Sequence, residues 1–188
     1  RIAIPALVEA HTHLDKSLIG WPWYTNDVGG DNLMAMIDNE RETKKRLGLD
    51  PHVQSMRHAL QTAAYGATLI RSHVDIDTEA GLRALEGVME TADKLHGIVD
   101  IETVAFPQSG LTIRPGTDRL MDEAMTMGAD LVGGLDPCGV DRDPKGHLDI
   151  IFGLAEKHGK GIDIHLHERG ELGAFSLDMI LDRAEALA

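Results

Sequence analysis

Four short apolar runs begin at Ala67, Ile98, Ala129 and Gly161, so their starts lie 31, 31 and 32 residues apart. They read ATLIRSHVDI, IVDIETVAF, ADLVGGLDP and GIDIHLHE. A strand, a polar or glycine-rich turn and a returning helix together need about this length, so the spacing predicts parallel strands joined by helices. A further run near the start of the chain ends in His11-Thr12-His13. Helix signals fill the gaps. Asp50-Pro51 sets an N-cap before a proline at the first helical position, with Gly66 as the expected C-cap. Helices are likewise expected over Thr78 to His96, Thr117 to Met127 and Lys145 to His158, and in the closing SLDMILDRAEALA. The first unit is different, because WPWYTNDVGGDN and a charged helix from Leu33 to Leu47 are inserted. That insertion holds both tryptophans and one of the two tyrosines; it either covers a pocket or packs as a surface excursion.

Strands that are mostly apolar and alternate with helices imply an α/β protein with a helix-covered parallel sheet. No G-x-G-x-x-G follows a strand and no Walker sequence occurs, which argues against a nucleotide-binding doubly wound sheet. Evenly spaced units favour the (β/α)8 TIM barrel. Five units can be counted, and 188 residues fall short of the ~250 typical of that fold. The expectation is therefore that residues 1–188 form the N-terminal part of a single barrel domain, with 15–50 as an inserted loop and helix. The opening at Arg1 without a methionine, and the ending on an amphipathic stretch, agree with a piece of a longer chain.

Charge narrows the partners. The net charge of −13, from 18 basic and 31 acidic residues, argues against nucleic acid and anionic membranes. No apolar run approaches a bilayer span, and no signal peptide opens the chain. The single cysteine, Cys138, cannot form an internal disulfide, so a cytoplasmic location is expected.

In a barrel the chemistry gathers at the C-terminal ends of the strands. Those ends here are His11-Thr12-His13, Arg71 to Asp75, the approach to Gln108, Gly133 to Asp136, and His165-Leu166-His167-Glu168. Roughly 0.5 His-x-His triplets are expected by chance at this histidine content, so the motif alone means little and its strand-end context decides. Residues two apart on a strand share a face, so His11 and His13 can bind one ion. With His165 they would supply three imidazole nitrogens suited to Zn(II) or Fe(II), a carboxylate completing the site. His73 reads as a support or substrate contact, and His167 as a loop or supporting histidine. His52, His58, His96, His147 and His158 fall on helices or loops and read as surface residues.

PALVEAHTHLDKS resembles the first-strand signature of the amidohydrolase superfamily, in its cytosine deaminase-like branch, which includes aminotriazine hydrolases. IRSHVDID, VAFPQSG and IDIHLHE resemble the same branch in the same order. The resemblance implies that His11, His13 and His165 are metal ligands, that Glu168 is the proton-shuttling acid and base, and that Gln108 holds the substrate ring. It also implies one divalent ion (Zn or Fe, with Mn also compatible) and metal-hydroxide attack that removes an amino group from a small cytosine-like or aminotriazine-like heterocycle. Strand four ends without the lysine that bridges two metals in binuclear members. The family's later histidine and aspartate, on strands six and eight, have no counterpart here. A small heterocycle is the expected partner, and homo-oligomerisation stays open. The competing readings are a binuclear, hydantoinase-like cyclic-amide hydrolase, a non-catalytic metal-binding barrel, and a phosphate-handling barrel enzyme.

Overall fold

The computed structural model describes residues 2–25, 28 and 32–187. The strands β1 (Leu7–Thr12), β2 (Ala67–Asp75), β3 (Asp100–Phe106), β4 (Leu131–Leu135) and β5 (Gly161–His165) are hydrogen-bonded in chain order. The helices are α1 (Leu33–Leu47), α2 (Pro51–Ala64), α3 (Arg83–Lys94), α4 (Thr117–Met127), α5 (Pro144–His158) and α6 (Gly170–Leu187). Two compact units divide the chain, one of residues 1–74 and 83–103, the other of 75–82 and 104–188.

In the first unit β1 runs parallel to β2, with Leu7 opposite Ala67 and Thr12 opposite Ser72. Past the strand, the Leu14 N–H donates to the buried Ser72 hydroxyl at 3.1 Å, which holds the His13 segment against β2. α2 packs on α3. The Ser55 hydroxyl donates to the Gly87 carbonyl at 3.1 Å and lies 2.7 Å from Thr91 Oγ1. A Cβ on Gly87 would come within 2.8 Å of the His52 nitrogen, so this crossing depends on glycine. The inserted segment packs on α1 and α2. Tyr24 Oη meets Thr43 and Asn39, Lys16 pairs with Glu40, and Arg57 donates to the Ile19 carbonyl. Asn26, Asp27 and Gly29 to Asp31 of this insertion lie outside the described residues.

Two helix starts differ from the expected ones. The helix predicted from Thr78 begins at Arg83. The reason is Asp77, whose Oδ1 accepts the N–H groups of Glu79 and Ala80 at 2.8 Å each and holds the chain in a turn. The last helix begins earlier than its amphipathic stretch, at Gly170. Gly173 permits this, since a Cβ there would lie 2.4 Å from the Glu168 carbonyl oxygen.

In the second unit β3 pairs with β4, and β4 with β5, all in parallel. The β4–β5 register runs from Leu131 opposite Gly161 to Leu135 opposite His165, so the polar ends of these strands align. Asp136 N–H extends the ladder by donating to the His165 carbonyl at 3.0 Å. Gly133 and Gly134 are required by packing: side chains there would strike the Ala105 carbonyl at 2.4 Å and Ile151 Cδ1 at 2.5 Å. α5 starts at Asp143-Pro144, with the Asp143 carboxylate accepting Gly146 N–H, and ends at Gly159 in the left-handed region. Among the described residues no helix is long and apolar enough to cross a membrane.

Candidate functional site

The first unit gathers imidazoles. His11 is the last residue but one of β1, His13 follows the strand, and His73 lies on β2 with no exposed surface. The His11 and His73 ring centroids are 4.4 Å apart, those of His11 and His13 5.6 Å, and those of His13 and His73 5.7 Å. His73, read from sequence as a support, thus stands closer to His11 than His13 does. Three protonated rings at such separations would repel strongly in a partly buried site, so the cluster suits neutral, nitrogen-donating imidazoles. That donor set fits a divalent ion such as Zn(II) or Fe(II). His58, on α2, lies against the His13 backbone, and burial pushes its pKa down. The Glu9 charge and a hydrogen bond to the His13 backbone act the other way without cancelling the effect. His58 is half-buried against the His13 segment rather than a surface histidine.

The second unit holds several of its polar strand-end groups against partners of complementary chemistry. His165 closes β5 with its ring centroid 4.3 Å from Phe106 and 5.9 Å from His167. Asp136, just past β4, is 1% exposed and adopts a left-handed φ of 34°. Its carboxylate accepts the backbone N–H groups of His167 and Glu168, and it lies 2.7 Å from His167 Nδ1. A carboxylate oxygen only accepts, so Nδ1 is the donor of this pair. Glu168 is held in turn. Its Oε1 accepts N–H groups from Cys138 at 2.9 Å and Gly139 at 2.6 Å, and its Oε2 accepts the Ser176 hydroxyl.

Gln108 lies two residues beyond β3, partly exposed, its N–H donating to the Phe106 carbonyl at 2.9 Å. The loop after it is organised by Asp141. That carboxylate accepts N–H groups from Leu111, Thr112 and Ile113 and pairs with His147 Nδ1 at 2.5 Å, both side chains fully buried. Burial alone would raise the Asp141 pKa. The His147 hydrogen bond, the backbone N–H donors and the His147 charge outweigh it and hold the carboxyl below its ordinary value. His147 was expected at the surface; it lies on the buried face of α5, and its other nitrogen accepts the Leu135 N–H at 3.4 Å.

A profile of the amidohydrolase family matches residues 1–188. The chain belongs to the amidohydrolase family. N-isopropylammelide isopropyl amidohydrolase of Pseudomonas sp. strain ADP is 34% identical over 189 residues, covering 95% of this chain and 45% of that protein. The crystal structure of N-isopropylammelide isopropylaminohydrolase from Burkholderia multivorans is 52% identical and superposes with a TM-score of 0.92, over 97% of this chain and 46% of that one. 5-Methylcytosine deaminase from Klebsiella pneumoniae, solved with phosphonocytosine, is 28% identical with a TM-score of 0.77, over 99% and 45% of the two chains. These relatives place this amidohydrolase in the cytosine deaminase-like branch. Its α/β fold corresponds to the first five strand–helix units of a (β/α)8 barrel. The chain spans less than half the length of these relatives.

Sequence reading singled out the histidines and Glu168 but missed the groups that hold them. Asp136 sits at a strand end, where polar residues were expected, yet its partners His167 and Glu168 are about thirty positions away. Ser176 and Asp141 gave no signal in the sequence.

Proposed function

We propose that the intact protein is a metal-dependent hydrolase that removes an amino group from a small nitrogen heterocycle, cytosine-like or aminotriazine-like. The observation that supports it most is the 52% identity to N-isopropylammelide isopropylaminohydrolase across nearly the whole chain. His11 and His13, joined by His165, are the residues that would hold one divalent ion (zinc, iron or manganese). Such an ion, when bound, supplies Lewis acidity that brings the pKa of a coordinated water toward neutrality.

The protein's own groups divide the remaining work. Gln108 presents a planar amide that both donates and accepts, so it can pair with the amide-like edge of a ring and fix which carbon is attacked. Glu168 accepts a proton from the attacking water and passes it to the ring nitrogen, then carries the second proton, from the newly added hydroxyl, to the leaving nitrogen. A carbon–oxygen bond forms, the exocyclic carbon–nitrogen bond breaks, and ammonia or an alkylamine leaves with the proton. Small heterocycles are the partners, and the setting is cytoplasmic. Residues 1–188 form the N-terminal part of one metal-dependent barrel domain.

Amine release from aminopyrimidines and aminotriazines by the intact protein tests this reading. Glu168→Gln is expected to lower kcat by about 10²- to 10⁴-fold while metal content stays unchanged. Turnover within about twofold of the parent would remove Glu168 from the chemistry.

A further inference from the structure

Ser176 has no place in the mechanism above, yet it is wholly buried and its hydroxyl faces two groups. It donates to Glu168 Oε2, and it lies 3.2 Å from Cys138 Sγ. Cys138 and Gly139 meanwhile donate their N–H groups to Oε1 of the same carboxylate. A carboxylate offers about four acceptor positions. Three are filled, two on Oε1 and one on Oε2, so the position left for an incoming proton is on Oε2, the oxygen that Ser176 touches.

The same helix face fixes the backbone. Gly173, three residues before Ser176 on α6, lies so close to the Glu168 carbonyl that a Cβ would come within 2.4 Å of its oxygen. α6 therefore meets Glu168 twice, at its carbonyl through Gly173 and at its carboxylate through Ser176.

We propose that Ser176 is a positioning residue for Glu168, one that holds Oε2 toward its proton donor and accommodates the proton when it arrives. The proposal rests on the proton-shuttle role of Glu168. While Oε2 is ionised, the serine O–H donates to it. Once Oε2 carries a proton on that open position, the serine O–H still donates to the lone pair it faces, with Cys138 Sγ, a weak acceptor at 3.2 Å, as its alternative partner. The serine keeps its own proton throughout. The carboxyl stays hydrogen-bonded in both states, so it need not swing away between accepting and returning the proton.

The test uses the intact, metal-loaded protein in four forms: parent, Ser176→Ala, Ser176→Thr and Glu168→Gln. Ser176→Ala is expected to lower kcat about ten- to a hundredfold with KM within about twofold and metal content unchanged. Ser176→Thr, which keeps the hydroxyl, is expected to recover most of that loss. Infrared spectra of protein with ¹³C-labelled glutamate give a readout independent of turnover. The carboxylate band that disappears in Glu168→Gln should shift in Ser176→Ala and stay near its parent position in Ser176→Thr. Parent-like kcat and an unmoved band in Ser176→Ala, beside an inactive Glu168→Gln, would overturn the positioning role alone. An active Glu168→Gln would overturn the shuttle reading and the positioning role with it, and that variant's own turnover tells the two failures apart.

Discussion

The two units arrange the ionisable side chains near their strand ends differently. In the first, His11, His13 and His73 lie against one another, with ring centroids 4.4 to 5.7 Å apart. In the second, most such groups meet a group of complementary charge or hydrogen-bonding capacity. Asp136 holds His167, Ser176 and two amides hold Glu168, and Asp141 holds His147. Like groups pressed together are costly unless something is shared among them, and neutral imidazoles can share a cation. Matched pairs are rigid instead, and rigidity is what a proton-transferring or substrate-orienting group needs. One unit is suited to donating nitrogen and the other to holding geometry.

That contrast breaks most sharply at Asp141. Removing the Asp141 carboxylate leaves His147 Nδ1 and the N–H groups of Leu111, Thr112 and Ile113 without their buried acceptor, so Asp141→Ala should cost about 3–5 kcal/mol in urea unfolding at pH 7. A loss below about 1 kcal/mol would mean that the pair contributes little to the fold. The same carboxyl gives a pH signature. Its folded pKa lies below the ordinary value, so its stabilisation is complete above the unfolded pKa, near 3.9, and is lost as pH falls through the folded value. The parent should lose stability between about pH 5 and pH 2, and Asp141→Asn should flatten that slope. Equal slopes would assign the acid sensitivity to other carboxylates.

A smaller effect is expected at Asp136, where orientation rather than stability is at stake. Asp136→Asn keeps the shape but replaces a charged acceptor of the His167 and Glu168 N–H groups. A fall in kcat of about tenfold, with metal content unchanged, is the expected outcome. A change confined to metal content would show that Asp136 acts through the ion site instead.

The repeat and its punctuation made the fold legible. Asn32, Asp50 and Asp143 cap their helices as their residue types suggest, and α1, α2 and α4 begin and end on the residues the pattern marks or within two of them. The helix starts at Arg83 and Gly170 were hidden, because a side-chain turn at Asp77 and a close approach at Gly173 fix them rather than periodicity. For the site, strand ends pointed to His11, His13, His165 and Glu168. The contacts that clasp Glu168 and His167 were invisible, since pairs such as Asp136 to His167 span loops and a helix that no local pattern connects. His147 shows the reverse error: a histidine on a helix looks superficial until the glycines of β4 let that face of α5 settle onto the strand.

The most direct measurement is metal content per chain on the intact protein, purified without chelators, beside a His11→Ala/His13→Ala variant. About one equivalent of zinc, iron or manganese is expected in the parent and less than about 0.1 in the variant, with amine release lost alongside it. A parent protein without metal, or a variant that keeps its full equivalent, would contradict the metal-ligand role of His11 and His13.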